Sequence, residues 1–402
     1  MGITIGKLPS EGHFIYLIVV DQPDSYKWQL LQPSMFHYNS HLLRQSRTNT
    51  AIMSTSLEKK GMPYVRLGTS GLKVSKIILG CMTYGTPEWE KWVLPEEESL
   101  KLIKAAYDSG INTFDTANVY SHGKSEVVLG KAIKEFNLPR EEIVVMTKVY
   151  FTVSRVPSVS IPIGVNSDEL GYVNQHGLSR KHIFDSVKAS LKRLQLDYID
   201  VLQCHRFDEN TPIEETMQAL HDVVKAGYVR YIGMSSCWAW QFHAMQNYAI
   251  VNRLTPFISM QNHYSLLYRE EEREMVPTLK HFGVGSIPWS PLARGVLTRP
   301  AQVKTNRSET DIYISMYTRT DAEMTNTVVE RVEEIAKKRD VSMAQVALAW
   351  IMGKDAVTAP IVGTSSLANL TDIIKSVHLK LTEEEVKYLE EPYRPRNVIG
   401  HA

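Results

Sequence analysis

The chain has 402 residues, of which 43% are hydrophobic and 22% charged, and its 45 Lys and Arg nearly balance its 44 Asp and Glu. This length allows two or three domains or one large α/β barrel, and the balanced charge lacks the basic excess typical of nucleic-acid binding. No stretch approaches the roughly 18 apolar residues of a membrane span, and three cysteines are too few for a disulfide framework, so we expect a cytoplasmic protein without membrane or nucleic-acid partners.

Residues 1–60 differ from the rest of the chain. They contain scattered Gln, Ser, Asn and His and have no sustained helical or strand period, which is typical of segments that do not form a packed core. The apolar run Phe14–Val20 lacks the basic flank and cleavage site of a signal peptide. We therefore predict a poorly ordered extension over residues 1–60, followed by one domain over residues 61–402 with a C-terminal tail.

Regular patterning begins at Tyr64, where two short runs around Thr69-Ser-Gly predict a β-hairpin. Eight apolar runs rich in β-branched residues then predict strands at Lys76–Gly80, Asn112–Thr116, Ile143–Lys148, Tyr198–His205, Tyr231–Ser236, Phe257–Asn262, Ser286–Ser290 and Ala359–Gly363. Amphipathic stretches predict helices at Glu96–Ser109, Ser125–Phe136, Arg180–Leu194, Ile213–Ala226, Trp240–Val251, Glu270–Phe282, Ser342–Met352 and Leu367–Val377.

Strands that alternate with helices indicate parallel βαβ units, and eight such units fit a (β/α)8 TIM barrel whose base is closed by the N-terminal hairpin. The alternative is a doubly wound sheet, which needs a Gly-rich phosphate loop after the first strand that this sequence does not supply. Two long inserts, Phe151–Leu178 and Thr298–Thr320, follow the third and seventh strands on the face where barrels place their active sites. The acidic run Glu270–Glu274 predicts a solvated helix face.

Four chemically useful residues lie at or just after the carboxyl ends of the predicted strands two to four: Asp115, Tyr120, Lys148 and His205. Taken singly, each has a structural explanation, as a turn residue, a packed aromatic, a snorkelling lysine or a buried histidine. Adjacent strands of a barrel are only about 4.8 Å apart, so the four side chains should converge on one patch of its mouth. A lysine that closes an apolar strand also needs a partner, because an unpaired buried cation is costly.

These residue types suit proton donation to a carbonyl. Tyrosine is a poor acid at neutral pH, but a neighbouring ammonium stabilises a phenolate, and a carboxylate keeps that ammonium charged. A histidine can hydrogen-bond the substrate oxygen while a proton is donated to it. No side chain supplies hydride, so a nicotinamide cofactor is implied.

From about Pro63 to Glu391 the chain resembles the aldo-keto reductases, and within them the fungal aryl-alcohol dehydrogenase-like branch. The matching landmarks, in order, are Leu79-Gly-Cys-Met, Phe114-Asp-Thr-Ala-Asn-Val-Tyr-Ser, Gly123-Lys-Ser-Glu, Thr147-Lys, Asp200-Val-Leu-Gln-Cys-His, Gly233-Met-Ser-Ser, Gln261-Asn, Ser290-Pro-Leu-Ala-Arg-Gly and Ile361-Val-Gly-Thr-Ser.

The resemblance implies a role for each residue, with NADP(H) as cofactor and a small carbonyl compound as substrate. Tyr120 would donate the proton and Lys148 would assist its ionisation. Asp115 would pair with Lys148, and His205 would bind the substrate carbonyl. The expected cofactor residues are Asp115, Ser235, Ser236 and Gln261 at the nicotinamide, Ser290, Pro291, Leu292, Ala293, Arg294, Gly295 and Leu297 at the pyrophosphate, and Gly363, Thr364, Ser365 and Asn369 at the adenosine half.

The sequence departs from the family at Ser365, where many members carry Lys or Arg for the 2′-phosphate of NADP, so the preference for NADP over NAD is expected to be weaker. Aromatic residues at the starts of loops predict a pocket for flat, aromatic substrates. They are Trp89, Trp92, Tyr150, Phe151, Phe207, Trp238 and Trp240.

Two alternatives to a carbonyl reductase stay open. The first is a cofactor-binding regulatory or redox-sensing subunit on the same barrel with negligible turnover. The second is a metal-dependent hydrolase, which needs His and carboxylate ligands on several strand ends, where only His205 and Asp115 qualify. We expect no metal site.

Overall fold

The computed structural model describes residues 61–401 except 157, 160, 162–163 and 319–320. Within the first sixty residues it describes two paired strands, Ile5–Gly6 and Leu17–Ile18. The chain divides into two units, Met1–Glu58 and Lys59–Ala402. Apart from these two strands, residues 1–60 lie outside the described residues, so the prediction of a poorly ordered extension there stays a prediction.

Eight parallel strands form the central sheet of the second unit. They are β1 (Ile78–Gly80), β2 (Thr113–Asp115), β3 (Val144–Val149), β4 (Ile199–Cys204), β5 (Val229–Ser235), β6 (Phe257–Gln261), β7 (Gly285–Ser286) and β8 (Ile361–Val362). They pair in the order β7-β6-β5-β4-β3-β2-β1-β8. The sheet closes because the amides of Thr358 and Ile361 donate to the carbonyls of Ser286 and Pro288 at 2.8 and 2.9 Å. The predicted (β/α)8 barrel is confirmed.

Strands β7 and β8 are shorter than the sequence predicts. Each predicted run contains a proline, Pro288 in the first and Pro360 in the second. Proline has no amide hydrogen to donate to a neighbouring strand, so it interrupts the ladder. The barrel therefore closes through a few single hydrogen bonds around these prolines instead of a continuous ladder.

Ten helices of eight residues or more lie in the described part of the second unit. They are α1 (Glu96–Asp108), α2 (Lys124–Glu135), α3 (Arg180–Leu194), α4 (Ile213–Lys225), α5 (Ala239–Val251), α6 (Met275–Phe282), α7 (Ala322–Arg339), α8 (Met343–Met352), α9 (Leu367–Lys375) and α10 (Glu383–Glu390). The sequence pattern did not predict helices α7 and α10, because many charged residues lie between the apolar residues that these helices bury. Among the described residues, no helix is long and apolar enough to cross a membrane.

The acidic run before α6 is not the solvated helix face that its composition predicts. A helix that began within the acidic run would need a hydrogen bond from the amide of residue 277, and Pro277 has no amide hydrogen. Helix α6 therefore begins only at Met275. The residues Glu270–Glu272 form a separate 3-10 turn. Glu271 is buried, whereas Arg273 and Glu274 are exposed. This turn is therefore packed into the domain, with a buried carboxylate that needs partners.

The hairpin closes the base of the barrel as predicted. Its strands, Tyr64–Arg66 and Lys73–Ser75, are antiparallel. Leu67 and Val74 are fully buried in one cluster with inward-facing strand residues such as Met146. The amide of Thr69 donates to the carbonyl of Gly283 at 2.8 Å, which fixes the hairpin turn to the loop after α6.

Both long inserts follow the carboxyl ends of their strands and are tied back to the barrel. In the insert after β3, the amide of Gly177 donates to the carbonyl of Tyr150 at 2.8 Å, and the amide of Leu178 donates to Asp208 at 2.7 Å. The insert after β7 contains two short helices, Asn306–Thr310 and Ser315–Thr318. The described parts of both inserts thus border the mouth of the barrel.

The tight contact at Gly68 yields a stability prediction. Gly68 has φ +59°, and a Cβ there would lie 2.5 Å from the carbonyl oxygen of Gly283. Gly68→Ala should therefore lower the free energy of unfolding by about 2 kcal/mol or more, combining left-handed strain with a steric clash. Gly71 lies in the same turn, and a Cβ there would meet nothing within 4 Å, so Gly71→Ala should change it by less than about 0.5 kcal/mol. Equal melting temperatures for the two variants would contradict this packing.

Candidate active site

A buried ion pair joins the carboxyl ends of β2 and β3. The Nζ atom of Lys148 lies 2.6 Å from Oδ2 of Asp115 and donates to the carbonyl of Thr116 at 2.9 Å. The side chain of Lys148 is 0% exposed and that of Asp115 is 3% exposed. Burial by itself lowers the pKa of Lys148, but the attraction of Asp115 and Tyr120 outweighs it, so the pKa is raised overall. The lysine is therefore charged at neutral pH.

Tyr120 is presented to this ammonium by an unusual turn. Ser121, His122 and Gly123 have φ values of +48°, +49° and +91°. Left-handed residues other than glycine are strained and need support from their surroundings. Here Oγ of Ser121 accepts the amide of Thr86 at 3.3 Å. The turn directs the phenol of Tyr120 inward, and its oxygen accepts a hydrogen bond from Lys148 at 3.3 Å.

His205 completes the cluster at the end of β4. Its ring centroid lies 5.8 Å from that of Tyr120, with the two planes nearly perpendicular. Burial, followed by the charges of Lys148 and Arg206, lowers the pKa of His205 well below that of a free histidine. Its Nδ1 atom is buried without a hydrogen-bond partner among the described residues. The imidazole is thus neutral, and one N–H can bond a substrate oxygen.

Gln203, which sequence reasoning did not assign to the site, completes the shell around Asp115. Its amide nitrogen donates to Oδ1 of Asp115 at 2.8 Å, and that of Gln261 donates to the same oxygen at 2.9 Å. Gln261 also donates to the carbonyl oxygen of Gln203 at 2.8 Å. Both N–H groups of the Gln261 amide are therefore used, and its carbonyl oxygen is the part that can accept a bond from a ligand. The feature of the sequence that could have identified Gln203 is a glutamine within the apolar strand β4.

Two serines at the carboxyl end of β5 adjoin this shell. The hydroxyl of Ser235 donates to the backbone carbonyl of Gln261 at 2.8 Å. Ser236 is left-handed, with φ +46°. Its amide donates to Asn262 at 2.9 Å, and its hydroxyl accepts the indole N–H of Trp289 at 3.0 Å. The ends of β5, β6 and β7 are thereby linked around one small polar patch.

The backbone of the segment after β7 adopts several left-handed conformations. Ser290, Ala293, Arg294 and Gly295 all have φ between +47° and +94°. A right-handed residue followed by a left-handed one, as at Leu292 and Ala293 (φ −99° and +47°), points successive amides to the same side and favours anions. The side chains of Pro291, Ala293 and Leu297 are buried, so they anchor the segment and leave its backbone for ligands.

Two arginines meet at one buried carboxylate beside this segment. Arg294 and Arg307 lie 2.5 and 3.1 Å from Oδ2 of Asp311. The side chain of Asp311 is 1% exposed. Arg294 retains a buried Nε with no protein partner in the described ranges. The two guanidinium groups thus share one carboxylate, and the carboxyl group of Glu90 is close enough to interact with Arg294 and Asp311 as well.

The segment after β8 forms the amino end of α9. Ser366 caps that helix, because its hydroxyl accepts the amide of Asn369 at 3.2 Å. Its own amide donates to the hydroxyl of Thr364 at 3.4 Å. Gly363, Ser365 and Asn369 are exposed. An exposed helix amino end next to Ser365 favours a phosphate group.

The aromatic residues are divided between two neighbourhoods. The rings of Trp89 and Tyr120 lie 6.2 Å apart, and those of Phe151 and His205 lie 5.0 Å apart. The ring of Tyr150 packs on that of Phe151 at 5.1 Å, and Phe151 in turn packs on His205. Trp238 contacts neither Tyr120 nor His205 among the aromatic pairs of the described chain, and packs instead on His401 at 4.9 Å.

The described residues contain no group of three or more His, Cys, Asp or Glu arranged to hold a metal ion. The chemistry of the cluster is that of a phenol beside a fixed ammonium and a neutral imidazole. Such a group can donate a proton to an oxygen that gains negative charge during a reaction.

Known proteins resemble this chain over the whole barrel. The model of the aldo/keto reductase family matches residues 76–394. Versiconal hemiacetal acetate reductase of Aspergillus parasiticus is 52% identical over 340 residues, which cover 84% of this chain and 98% of that protein. A Schizosaccharomyces pombe protein whose name places it with the aryl-alcohol dehydrogenases is 52% identical over 347 residues, 84% of this chain and 97% of that protein. An Alternaria alternata aldo-keto reductase is 47% identical over 347 residues, 84% and 94% of the two chains. This chain therefore belongs to the aldo/keto reductase family, in its fungal aryl-alcohol dehydrogenase-like branch.

Proposed function

We propose that the protein reduces an aldehyde or ketone to an alcohol with NADP(H), and that Tyr120 donates the proton. The observation that carries this proposal is the buried Asp115–Lys148 pair, whose ammonium lies 3.3 Å from the phenol oxygen of Tyr120. A regulatory subunit with negligible turnover needs a cofactor site but has no use for a buried ammonium aimed at a phenol.

The residues around the mouth of the barrel fit a nicotinamide dinucleotide. The carbonyl oxygen of Gln261 and the patch around Ser236 suit the carboxamide of the nicotinamide. The unpartnered Nε of Arg294 and the left-handed turn at Ser290–Gly295 suit the negatively charged pyrophosphate. When bound, this cofactor supplies the hydride that no side chain can provide.

The side chains divide the remaining work of carbonyl reduction. The phenol of Tyr120 and the neutral imidazole of His205 hydrogen-bond the substrate oxygen and orient it. As that oxygen gains negative charge, the phenol gives it a proton and becomes a phenolate. Lys148 stabilises the phenolate, and Asp115 keeps the ammonium charged and fixed. Gln203 acts through Asp115, because it bonds the carboxylate oxygen that the lysine does not.

The substrate class follows from the walls around the reacting oxygen. Trp89 packs next to Tyr120, Phe151 packs next to His205, and Tyr150 packs on Phe151. Flat aromatic faces favour planar, conjugated substrates. Two relatives carry names that refer to aryl alcohols and to versiconal hemiacetal acetate. We therefore propose an aromatic carbonyl compound or a bulky fungal secondary metabolite as substrate.

Removal of the proton donor provides the first functional test. Tyr120→Phe should lower the rate of aldehyde reduction by about 10²–10⁴-fold, the usual contribution of general acid catalysis, while cofactor affinity stays close to that of the parent. The measurement is steady-state reduction of an aromatic aldehyde with NADPH, together with cofactor titration. Tyr388→Phe, which removes a phenol from the surface of α10, is the control. Activity of Tyr120→Phe within a few-fold of the parent would remove Tyr120 from the mechanism.

The second test concerns the choice between NADPH and NADH. Ser365 is exposed beside the amino end of α9 but carries no charge, so Ser365→Lys should tighten NADPH by up to about tenfold through a charge-assisted contact with the 2′-phosphate. NADH should bind nearly as before, and the gain should shrink as salt rises.

The cofactor dissociation constants can be measured by quenching of tryptophan fluorescence. Thr371→Lys adds the same charge to an exposed position within α9, about one turn after its first residue, and should have little effect. If Ser365→Lys binds both cofactors as the parent does, Ser365 does not face the 2′-phosphate.

A further inference from the structure

Residues 393–401, here called the tail segment, cross the barrel mouth and bind the acidic turn that precedes α6. The phenol of Tyr393 and the amide of Arg396 both donate to Oε1 of Glu270, at 2.7 and 2.8 Å. The amide of Ile399 donates to the phenol oxygen of Tyr268 at 3.0 Å. The tail segment is therefore fixed to the loop after β6 at several points.

Arg396 anchors the middle of the tail segment to the insert after β7 and to α7. Its Nη2 atom donates to the carbonyl of Tyr317 at 3.2 Å and to the hydroxyl of Thr325 at 2.7 Å. The residue is only 8% exposed. A buried guanidinium with several acceptors holds this stretch of chain in one place, which fixes the course of the residues that follow.

The next residues reach the patch assigned above to the nicotinamide. Gly400 has φ +90°, and a Cβ there would lie 3.2 Å from Cζ2 of Trp289 and 3.8 Å from the hydroxyl of Ser236. The ring of His401 packs on Trp238 at 4.9 Å. The tail segment thus lies against two of the side chains that border the polar patch at the ends of β5 and β7.

A chain of hydrogen bonds runs from His401 to the backbone of that patch. Nε2 of His401 lies 3.0 Å from Oε1 of Glu271, and their side chains are 8% and 4% exposed. The other carboxylate oxygen of Glu271 accepts from the amide of Asn262. The carbonyl of that amide accepts the N–H of Ser236 at 2.9 Å. Each link is buried, so the loss of one partner leaves the next group unsatisfied.

We propose that Glu271 and His401 are positioning residues for the cofactor. They orient the Asn262 amide, and the amide holds Ser236 in its left-handed conformation against Trp289. The tail segment is then part of the wall of the nicotinamide site. This inference rests on the proposed function, because it takes Ser236 and Trp289 as residues that border the nicotinamide.

The test compares cofactor binding with turnover in substitutions of the intact chain. His401→Leu removes the contact with Glu271, and His401→Gln keeps an N–H donor. Glu271→Gln keeps the shape of the side chain while removing its charge. His281→Leu and Glu274→Gln are controls, since both residues are exposed. The readouts are the NADPH and NADH dissociation constants from tryptophan fluorescence, the KM for each cofactor, kcat and the melting temperature.

His401→Leu should raise the dissociation constant and KM of both cofactors by about tenfold, the size of one charge-assisted hydrogen bond. The change in KM should exceed the change in kcat, and the melting temperature should fall by no more than a few degrees, the cost of leaving one buried group unsatisfied. His401→Gln should restore part of the affinity. The effects of His401→Leu and Glu271→Gln should be less than additive in the double variant, because both act on one pair.

Several results would overturn the inference. A parent that binds cofactor and a His401→Leu variant that binds it equally well would exclude a positioning role and leave the proposed function intact. Fully additive effects of the two substitutions would separate His401 from Glu271. If His281→Leu weakened cofactor binding equally, the effect would not depend on the contact between His401 and Glu271. A parent that binds neither cofactor would overturn the proposed function as well.

Discussion

The buried ion pair between Asp115 and Lys148 imposes the main constraint on this site. Two charges taken out of water are tolerated only when their geometry is close and their remaining hydrogen-bonding capacity is used. Asp115 meets that condition with the lysine on one oxygen and the amides of Gln203 and Gln261 on the other. Lys148 meets it with Asp115, a backbone carbonyl and the phenol of Tyr120. The ends of four strands are therefore fixed relative to one another by one set of charges.

The barrel supplies rigidity and its loops supply the unusual conformations. The hairpin and the inward-facing apolar residues fill the base, so the polar groups are confined to the carboxyl ends of the strands. Left-handed residues then cluster at the mouth, at Ser121 and His122, at Ser236, and in the segment around Arg294. Such conformations persist only where neighbouring contacts hold them. The hydroxyl of Ser121, the amide of Asn262 and the carboxylate of Asp311 provide those contacts.

The strand and site residues were predictable because both depend on local pattern. Short apolar runs locate the strands, and residues just after adjacent parallel strands must lie close together, so Asp115, Lys148 and His205 could be grouped from the sequence. Gln203 was not assigned, because its one signal, a glutamine within an apolar strand, does not show which neighbouring side chain it bonds. The prediction for the acidic turn was wrong for a similar reason. Glu270 and Glu271 form hydrogen bonds with the tail segment more than 120 residues later, and composition alone indicates only exposure.

The central claim is that Lys148 acts on the reaction by stabilising the phenolate of Tyr120. The most direct measurement is the pH dependence of alcohol oxidation with NADP⁺ in the parent and in Lys148→Met. Oxidation requires the phenolate, so its rate should rise with pH in both proteins. Without the ammonium, the phenolate forms only at higher pH, so the pH–rate profile of the variant should move to higher pH. A profile of Lys148→Met that has measurable activity and coincides with that of the parent would contradict the account.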